Sequence, residues 1–172
     1  MSAPQRSVGL RPVVEADLAS FEAAQTPDGQ GELQWFGHRN VRALRERWDR
    51  DRLLAPDGGV LTVDVDGSCA GRVEWFEGFW GPRETSACWT IAIGLLPSWR
   101  GQGIGSAAQR LLVAYLFDHT RAERVQAFTD VTNVAEQRAL VNAGFEREGV
   151  ARRGQWRRGA WHDQAIYSVL RT

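Results

Sequence analysis

The sequence predicts an α+β fold in which a mixed sheet of about seven strands carries helices on both faces, and three observations lead there. Short apolar or alternating runs of strand length recur from Val8 to Leu170. Four segments with apolar residues at helical spacing interrupt them. The two kinds neither alternate strictly nor segregate, and in order they read β α α β β β α β α β β. A chain of 172 residues matches one domain at roughly 100 to 200 residues per domain. A single domain over residues 1–172 is therefore expected, long enough to bury a full core.

Met1–Ser7 is polar and is expected to be loose. Val8–Val13 reads as a first strand, with Pro12 suiting an edge or a strand end. Leu18, Phe21 and Ala24 then share a helical face, and Glu15 and Asp17 fall in the first turn, where the helix dipole favours acids. TPDGQGE is read as a loop. A second helix is expected from about Asn40 to Leu54, with Val41, Leu44, Trp48 and Leu53 apolar. Its arginines, Arg42, Arg45, Arg47, Arg50 and Arg52, are interleaved with Glu46, Asp49 and Asp51, the pattern of a solvated face rather than a polyanion site.

Leu61, Val63 and Val65 alternate with polar residues ahead of Asp66-Gly67, a turn dipeptide, so a hairpin is expected there. Gly78–Ser86 connects it to a long apolar strand, Ala87–Leu96. The next helix presents Ile104, Ala107, Ala108, Leu111, Leu112, Tyr115 and Leu116. Arg124–Thr129 is a short strand, and Asn133–Ala143 a helix stopped by Gly144, with Phe145 packing back. The last two strands are expected at Glu146–Ala151 and Gln164–Leu170, separated by an arginine-rich insertion, RRGQWRRGAWHD.

Composition narrows the classes of function. Basic and acidic residues balance at 21 each, so no global field draws nucleic acid or an anionic membrane. No apolar run approaches the ~18 residues that span a bilayer, and the first residues lack a secretory h-region. The expectation is a cytoplasmic protein without a membrane or nucleic-acid partner. Cys69 and Cys88 have no zinc spacing and make no disulfide framework. His38 and His119 have no partners at metal spacing, and no metal is expected.

The most informative stretch is IAIGLLPSWRGQGIGSAAQRLLVAYLF, Ile91–Phe117. A buried strand, a glycine loop and a helix in that order build an anion site, because the loop turns its N–H groups inward and the helix adds the positive end of its dipole. A Walker loop requires Lys and then Ser or Thr after its last glycine, but Gly105 is followed by Ser106 and Ala107. A dinucleotide fingerprint requires G-x-G-x-x-G, but Gly101, Gly103 and Gly105 are evenly spaced and Ser106 holds the third slot.

What remains, R-x-x-G-x-G at Arg100, Gly103 and Gly105, resembles the pyrophosphate loop of the GCN5-related N-acetyltransferase (GNAT) family. Asn133 with Gly144-Phe145 resembles that family's N-x10-GF segment. The tail GAWHDQAIYSVLR resembles the ribosomal-protein and polyamine N-acetyltransferase branch, and Leu10, Arg11, Pro12, Asp17 and Leu18 resemble the start of many members. The resemblance implies a mostly antiparallel sheet in an α/β/α sandwich, and acetyl-CoA as co-substrate for transfer of an acetyl group to a primary amine. It also implies that Ile93, Gly94 and Leu95 pair with the pantetheine arm, that the Leu95 N–H serves as oxyanion donor, and that Arg100, Gly101, Gln102, Gly103, Ile104, Gly105 and Ser106 wrap the pyrophosphate. Asn133 would contact the pantetheine, or be a plain N-cap.

Two departures stand out. Leu140 occupies the place where many relatives have a Tyr, and Glu136, followed by Gln137, occupies the place where the ribosomal-protein branch often has Ser. A base is needed because the acceptor amine must be neutral to attack. Glu74, beside aromatics in EWF, ranks first, ahead of Glu77, Glu84, Asp130 and His162. Trp75, Phe76, Phe79, Trp80 and Trp89 belong either to an acceptor cavity or to the core and a homodimer face. Trp156 and Trp161 sit where relatives cap the acceptor or exchange subunit contacts. An enzyme acting on a peptide N-terminus or a small amine is expected, with a silent acyl-CoA-binding module or an assembly protein as alternatives.

Overall fold

The computed structural model describes residues 6–172. Of the segment Met1–Ser7, residues 1–5 lie outside the described part, and Ser7 is anchored: its N–H donates to the Asp66 carboxylate at 3.0 Å.

The elements run β1 Val8–Pro12, α1 Glu15–Ala23, α2 Pro27–Gln30, α3 Ala43–Asp51, β2 Leu54–Ala55, β3 Gly58–Val65, β4 Ser68–Phe79, α4 Arg83–Ser86, β5 Ala87–Leu95, α5 Ile104–His119, β6 Arg124–Asp130, α6 Val134–Asn142, β7 Glu146–Arg157 and β8 Ala160–Leu170, with a 3-10 turn at Pro97–Trp99 before α5. The sheet is eight-stranded in the order β1-β3-β4-β5-β6-β8-β7, and β2 pairs with β3 off that path. Every pairing is antiparallel except β5 with β6. The expected α+β architecture is observed, with one short strand more than the seven expected.

Strand alternation assigns the two faces. Leu61, Val63 and Val65 join Val73, Trp75, Leu112, Leu116 and Leu140 in the larger core beneath α5 and α6. Val60 turns the other way and packs with Val13, Leu18, Phe21, Leu44 and Leu53 beneath α1 and α3. Each such fully buried aliphatic side chain contributes roughly 1.5–3 kcal/mol. Asp17, 3% exposed, locks α1 to the sheet. It accepts from Arg11 at 2.6 Å, from the Thr62 hydroxyl at 2.8 Å and from the N-cap amide of Val14 at 3.0 Å. Burial alone would raise the Asp17 carboxyl, but these three donors hold it at about 2.

Three local readings are corrected. TPDGQ contains the short helix α2, started by Pro27 and capped by Thr26, whose hydroxyl accepts from the Gly29 N–H at 3.0 Å. The second long helix is shorter than Asn40–Leu54, because the Asn40 side chain caps a turn at the Arg42 N–H. At its other end Arg52 and Leu53 adopt φ of 56° and 63°, a left-handed stop. RRGQWRRGAWHD is not an insertion between strands. β7 and β8 continue through it to a tight turn at Arg158-Gly159, with bulges between Ala151 and Gln155. Among the described residues no helix is long and apolar enough to cross a membrane.

Candidate active site

The sheet parts at the parallel junction of β5 and β6. β5 and β6 are paired at Trp89↔Val125 and Thr90↔Gln126 alone, whereas β5 stays paired with β4 as far as Leu95. The Leu96 N–H donates to the Ala70 carbonyl at 2.9 Å. In an antiparallel ladder the even-numbered residues of β5 therefore turn their backbone groups toward β4, and Ile91, Ile93 and Leu95 turn theirs into the gap. Two contacts share that parity: the Gln34 amide donates to the Ile93 carbonyl at 2.9 Å, and Arg100 Nε to the Leu95 carbonyl at 2.9 Å. Two carbonyls on this edge are thus satisfied from within the protein, while the N–H groups of Ile93 and Leu95 face the gap, as an added strand requires.

The glycine loop follows. Gly101 and Gly103 have φ of 71° and 76°, and an added Cβ at either would meet nothing within 4 Å, so backbone conformation rather than space demands glycine there. Gly105 already lies in the first turn of α5, which has no side-chain cap. Among the described residues no side chain caps the N–H groups of Ile104, Gly105 and Ser106, which stand at the positive end of the helix dipole, where an anion is favoured. Gln102 steadies the loop by donating to the Ser98 carbonyl at 2.7 Å, and its side-chain oxygen accepts from Arg6. The Arg100 guanidinium also donates to the Gly29 carbonyl, so its side chain ties the loop to β5 and α2. This loop and edge suit a coenzyme with a diphosphate and an extended amide arm.

On the α1 and α3 side, a cavity of about 470 Å³ reaches the same edge. It is walled by Arg72 and Glu74 of β4, Ala92–Leu95 of β5, Phe21 and Arg47 of the helices, and Gln34, Trp35, Phe36 and Arg39 of the α2–α3 segment. Glu74 is half-buried and accepts from Arg72 Nε at 2.5 Å. The other base candidates lie off the cavity. Glu77 pairs with Arg83 at 2.7 Å, and Glu84 is exposed. Asp130 is bound by Arg157 at 2.5 Å with both side chains almost fully buried, and His162 Nδ1 lies 3.2 Å from the same carboxylate. Burial alone would raise the Asp130 carboxyl, but Thr132 and Arg157 hold it at about 2.

Asn133 acts as the N-cap of α6, accepting from the Glu136 N–H at 3.2 Å. Leu140 is fully buried in the core. Glu136, in the first turn of α6, is pushed up to about 7 by burial. The nearby Gln109 amide tempers that rise, yet its two polar atoms, buried on α5, make no hydrogen bond among the described residues. Gln109 and Val113 lie in the buried stripe where the sequence pattern placed Leu111, which is 39% exposed. A lone polar residue at a core position of α5 was the available signal for this pair.

The aromatic cluster is resolved differently from both alternatives taken whole. Trp75 is core, and Trp89 donates to the Thr120 hydroxyl at 3.0 Å. Phe76, Phe79 and Trp80 are exposed. None of the five lines the cavity, whose aromatic walls are Phe21, Trp35 and Phe36. Trp156 and Trp161 are exposed partners in the β7–β8 hairpin, their rings edge to face at 5.5 Å. Burial and the neighbouring Asp17 carboxylate push the Cys69 thiol up to about 11, and burial raises Cys88 as well. Among the described residues no group of three or more His, Cys, Asp or Glu is placed to hold a metal.

Comparison with known proteins agrees with this geometry. A family model described as an Acetyltransferase (GNAT) domain matches residues 7–146. The probable N-acetyltransferase YjcK of Bacillus subtilis (strain 168) is 31% identical over 132 residues, covering 77% of this chain and 70% of that protein. The spermidine N-acetyltransferase of Vibrio cholerae, solved with CoA and spermine, superposes with a TM-score of 0.78 at 18% identity over 95% of each chain. RimL, a ribosomal L7/L12 α-N-protein acetyltransferase solved with coenzyme A, superposes with a TM-score of 0.77 at 19% identity, over 95% of this chain and 93% of its own. With its parted β5 and β6, its uncapped glycine loop and this family match, the chain belongs to the GNAT acetyltransferase family and is an N-acetyltransferase.

Proposed function

We propose that the protein moves the acetyl group of acetyl-CoA to the α-amine of a peptide or amino acid by direct attack on the thioester. The observation that carries this reading is the inward-facing edge Ile91–Leu95, which lies between the glycine loop and the cavity beside Glu74. The pantetheine pairs with that edge and the diphosphate occupies the loop and the first turn of α5, where Ile104, Gly105 and Ser106 present N–H groups. The acceptor enters from the cavity. Its nitrogen lone pair attacks the carbonyl carbon, the Leu95 N–H donates to the developing oxyanion, and the C–S bond breaks to release the thiolate. The proton lost from the amine passes to Glu74, directly or through water.

The acceptor's basicity supports an α-amine. The α-ammonium of a peptide, at about 7.7–8.0, gives up its proton far more readily than an alkylammonium near 10.4, while the carboxylate of a free amino acid makes its α-ammonium hold the proton more tightly than a peptide's does. The high thiol pKa of Cys69 argues against an acyl-cysteine intermediate, because the thiolate is the nucleophile. Calorimetric titration of acetyl-CoA into Gly105→Glu tests the coenzyme site, since Gly105 has ordinary helical backbone and an added Cβ there meets only Leu95 at 3.8 Å. The carboxylate would stand at the diphosphate position, so binding should be lost while the circular-dichroism spectrum is unchanged. Undiminished affinity would remove this reading.

A further inference from the structure

The cavity that opens on the β5 edge is cationic, which bears on what the acceptor is. This inference rests on the acetyl-transfer reading above and narrows its substrate class. The charged groups on the cavity wall are Arg39, Arg47, Arg72 and Arg100 against one carboxylate, Glu74. The charge of Glu74 is balanced by Arg72, whose Nε meets Oε1 at 2.5 Å, and Arg100 donates to the carbonyls of Leu95 and Gly29. Arg47 and Arg39 have no carboxylate partner among the described residues. Arg39 stacks its guanidinium 5.6 Å from the Phe36 ring centroid.

The neighbours of Arg47 on α3 behave otherwise. Arg45 binds Glu22 at 3.1 Å, and Arg50 binds Asp51 at 3.1 Å. The pattern that predicted one solvated arginine face therefore divides, with Arg45 and Arg50 paired outside and Arg47 turned to the cavity. The remaining polar wall, from Gln25, Gln30, Gln34 and Asn40, is neutral. The chain contains no lysine, so each cation here is a planar guanidinium, whose fork matches a carboxylate in two-point contact.

We infer that the acceptor is an amine bearing carboxylate near its reactive nitrogen, held by Arg39 and Arg47. The amine of an acidic amino acid or of a peptide with an acidic N-terminal sequence has this chemistry. A polyamine would enter a cavity of its own charge with no free carboxylate to meet it.

The experiment is thiol-release kinetics at saturating acetyl-CoA with matched acceptors: short peptides carrying Glu or Lys at the second and third positions, free glutamate, and spermidine. The wild type should favour the glutamate-bearing acceptors. Turnover of free glutamate would place an amino-acid carboxylate on the arginines, and turnover of the acidic peptide alone would place peptide side chains there. Arg47→Gln and Arg39→Gln should each raise KM for the favoured acceptor about tenfold or more, leaving kcat, the unfolding midpoint and acetyl-CoA affinity unchanged. Reduced acetyl-CoA affinity in these variants would overturn the inference by assigning the arginines to coenzyme phosphates, and preference for spermidine or the lysine peptide would overturn it directly. Binding of acetyl-CoA without release of thiol for any acceptor would defeat the inference together with the transfer reading, whereas a preference for cationic acceptors leaves transfer intact.

Discussion

Replacing Glu136 with Gln should stabilise the protein above neutral pH and leave it nearly unchanged in acid. The native structure holds this carboxyl at about 7 against an ordinary 4.5, because burial at the first turn of α6 disfavours the charge. A native state that keeps a proton more tightly than the unfolded chain is favoured below the unfolded value, loses that advantage as pH rises from 4.5 to about 7, and carries the full cost of the buried anion above it. At ~1.36 kcal/mol per pKa step, the ceiling is about 3.4 kcal/mol. Solvent reaching the half-buried group reduces that to about 2 kcal/mol. Glutamine matches the shape of the neutral acid and never ionises, so Glu136→Gln should gain that amount at pH 8 and almost nothing at pH 4.5. In a chain of this size the gain corresponds to about 4–8 °C in Tm. Thermal or urea unfolding of both proteins at pH 4.5, 6, 7 and 8 gives the answer, since every other titrating group cancels in the difference. A stability difference that stays flat across that range would refute the claim that Glu136 is a buried acid.

Asp130→Asn should destabilise by about 3–5 kcal/mol, because it takes the charged partner from the almost fully buried Arg157 guanidinium, whose Nε has no hydrogen-bond partner among the described residues. Denaturant unfolding measures the loss, and Asp130→Asn with Arg157→Met should recover part of it. Gly71→Ala should act on coenzyme affinity more than its small size suggests. A Cβ there would stand 2.3 Å from the Gly94 carbonyl oxygen and 2.7 Å from Leu95 Cα, so β5 must shift at the edge that faces the gap. A weaker acetyl-CoA Kd with retained fold is the expected outcome, measured by calorimetry.

What was legible in the sequence was local chemistry. Asp66-Gly67 signals a turn because Asp and Gly tolerate left-handed backbone, and they adopt φ of 52° and 83°. Arg158-Gly159 takes almost the same conformation, at 51° and 80°, but arginine gives no such signal, so the residues suggest an insertion where the hairpin is continuous. The glycine loop could be found because its function resides in consecutive backbone amides. The cavity wall could not, since Phe21, Trp35 and Arg47 reach β4 and β5 only through tertiary packing. Asp130 and Arg157 lie 27 positions apart and meet across two strands, a pairing that no periodicity encodes. Helical spacing named Leu111 as core and passed over Gln109 because the pattern weighs hydrophobicity, while the orientation of α5 is set by what packs against it.

The gap between β5 and β6 leaves an unfinished sheet edge inside a folded protein. Unpaired strand edges on a surface invite other chains, but this one is recessed between two strands and partly shielded by the side chains of Gln34 and Arg100. A molecule that pairs with Ile93 and Leu95 completes the ladder, and it can do so only in the native state. Its occupancy therefore enters the unfolding equilibrium directly, adding about 2.7 kcal/mol at a hundredfold excess over Kd. If acetyl-CoA pairs with this edge as proposed, the durability of the fold is not a constant of the polypeptide but rises and falls with the supply of the coenzyme.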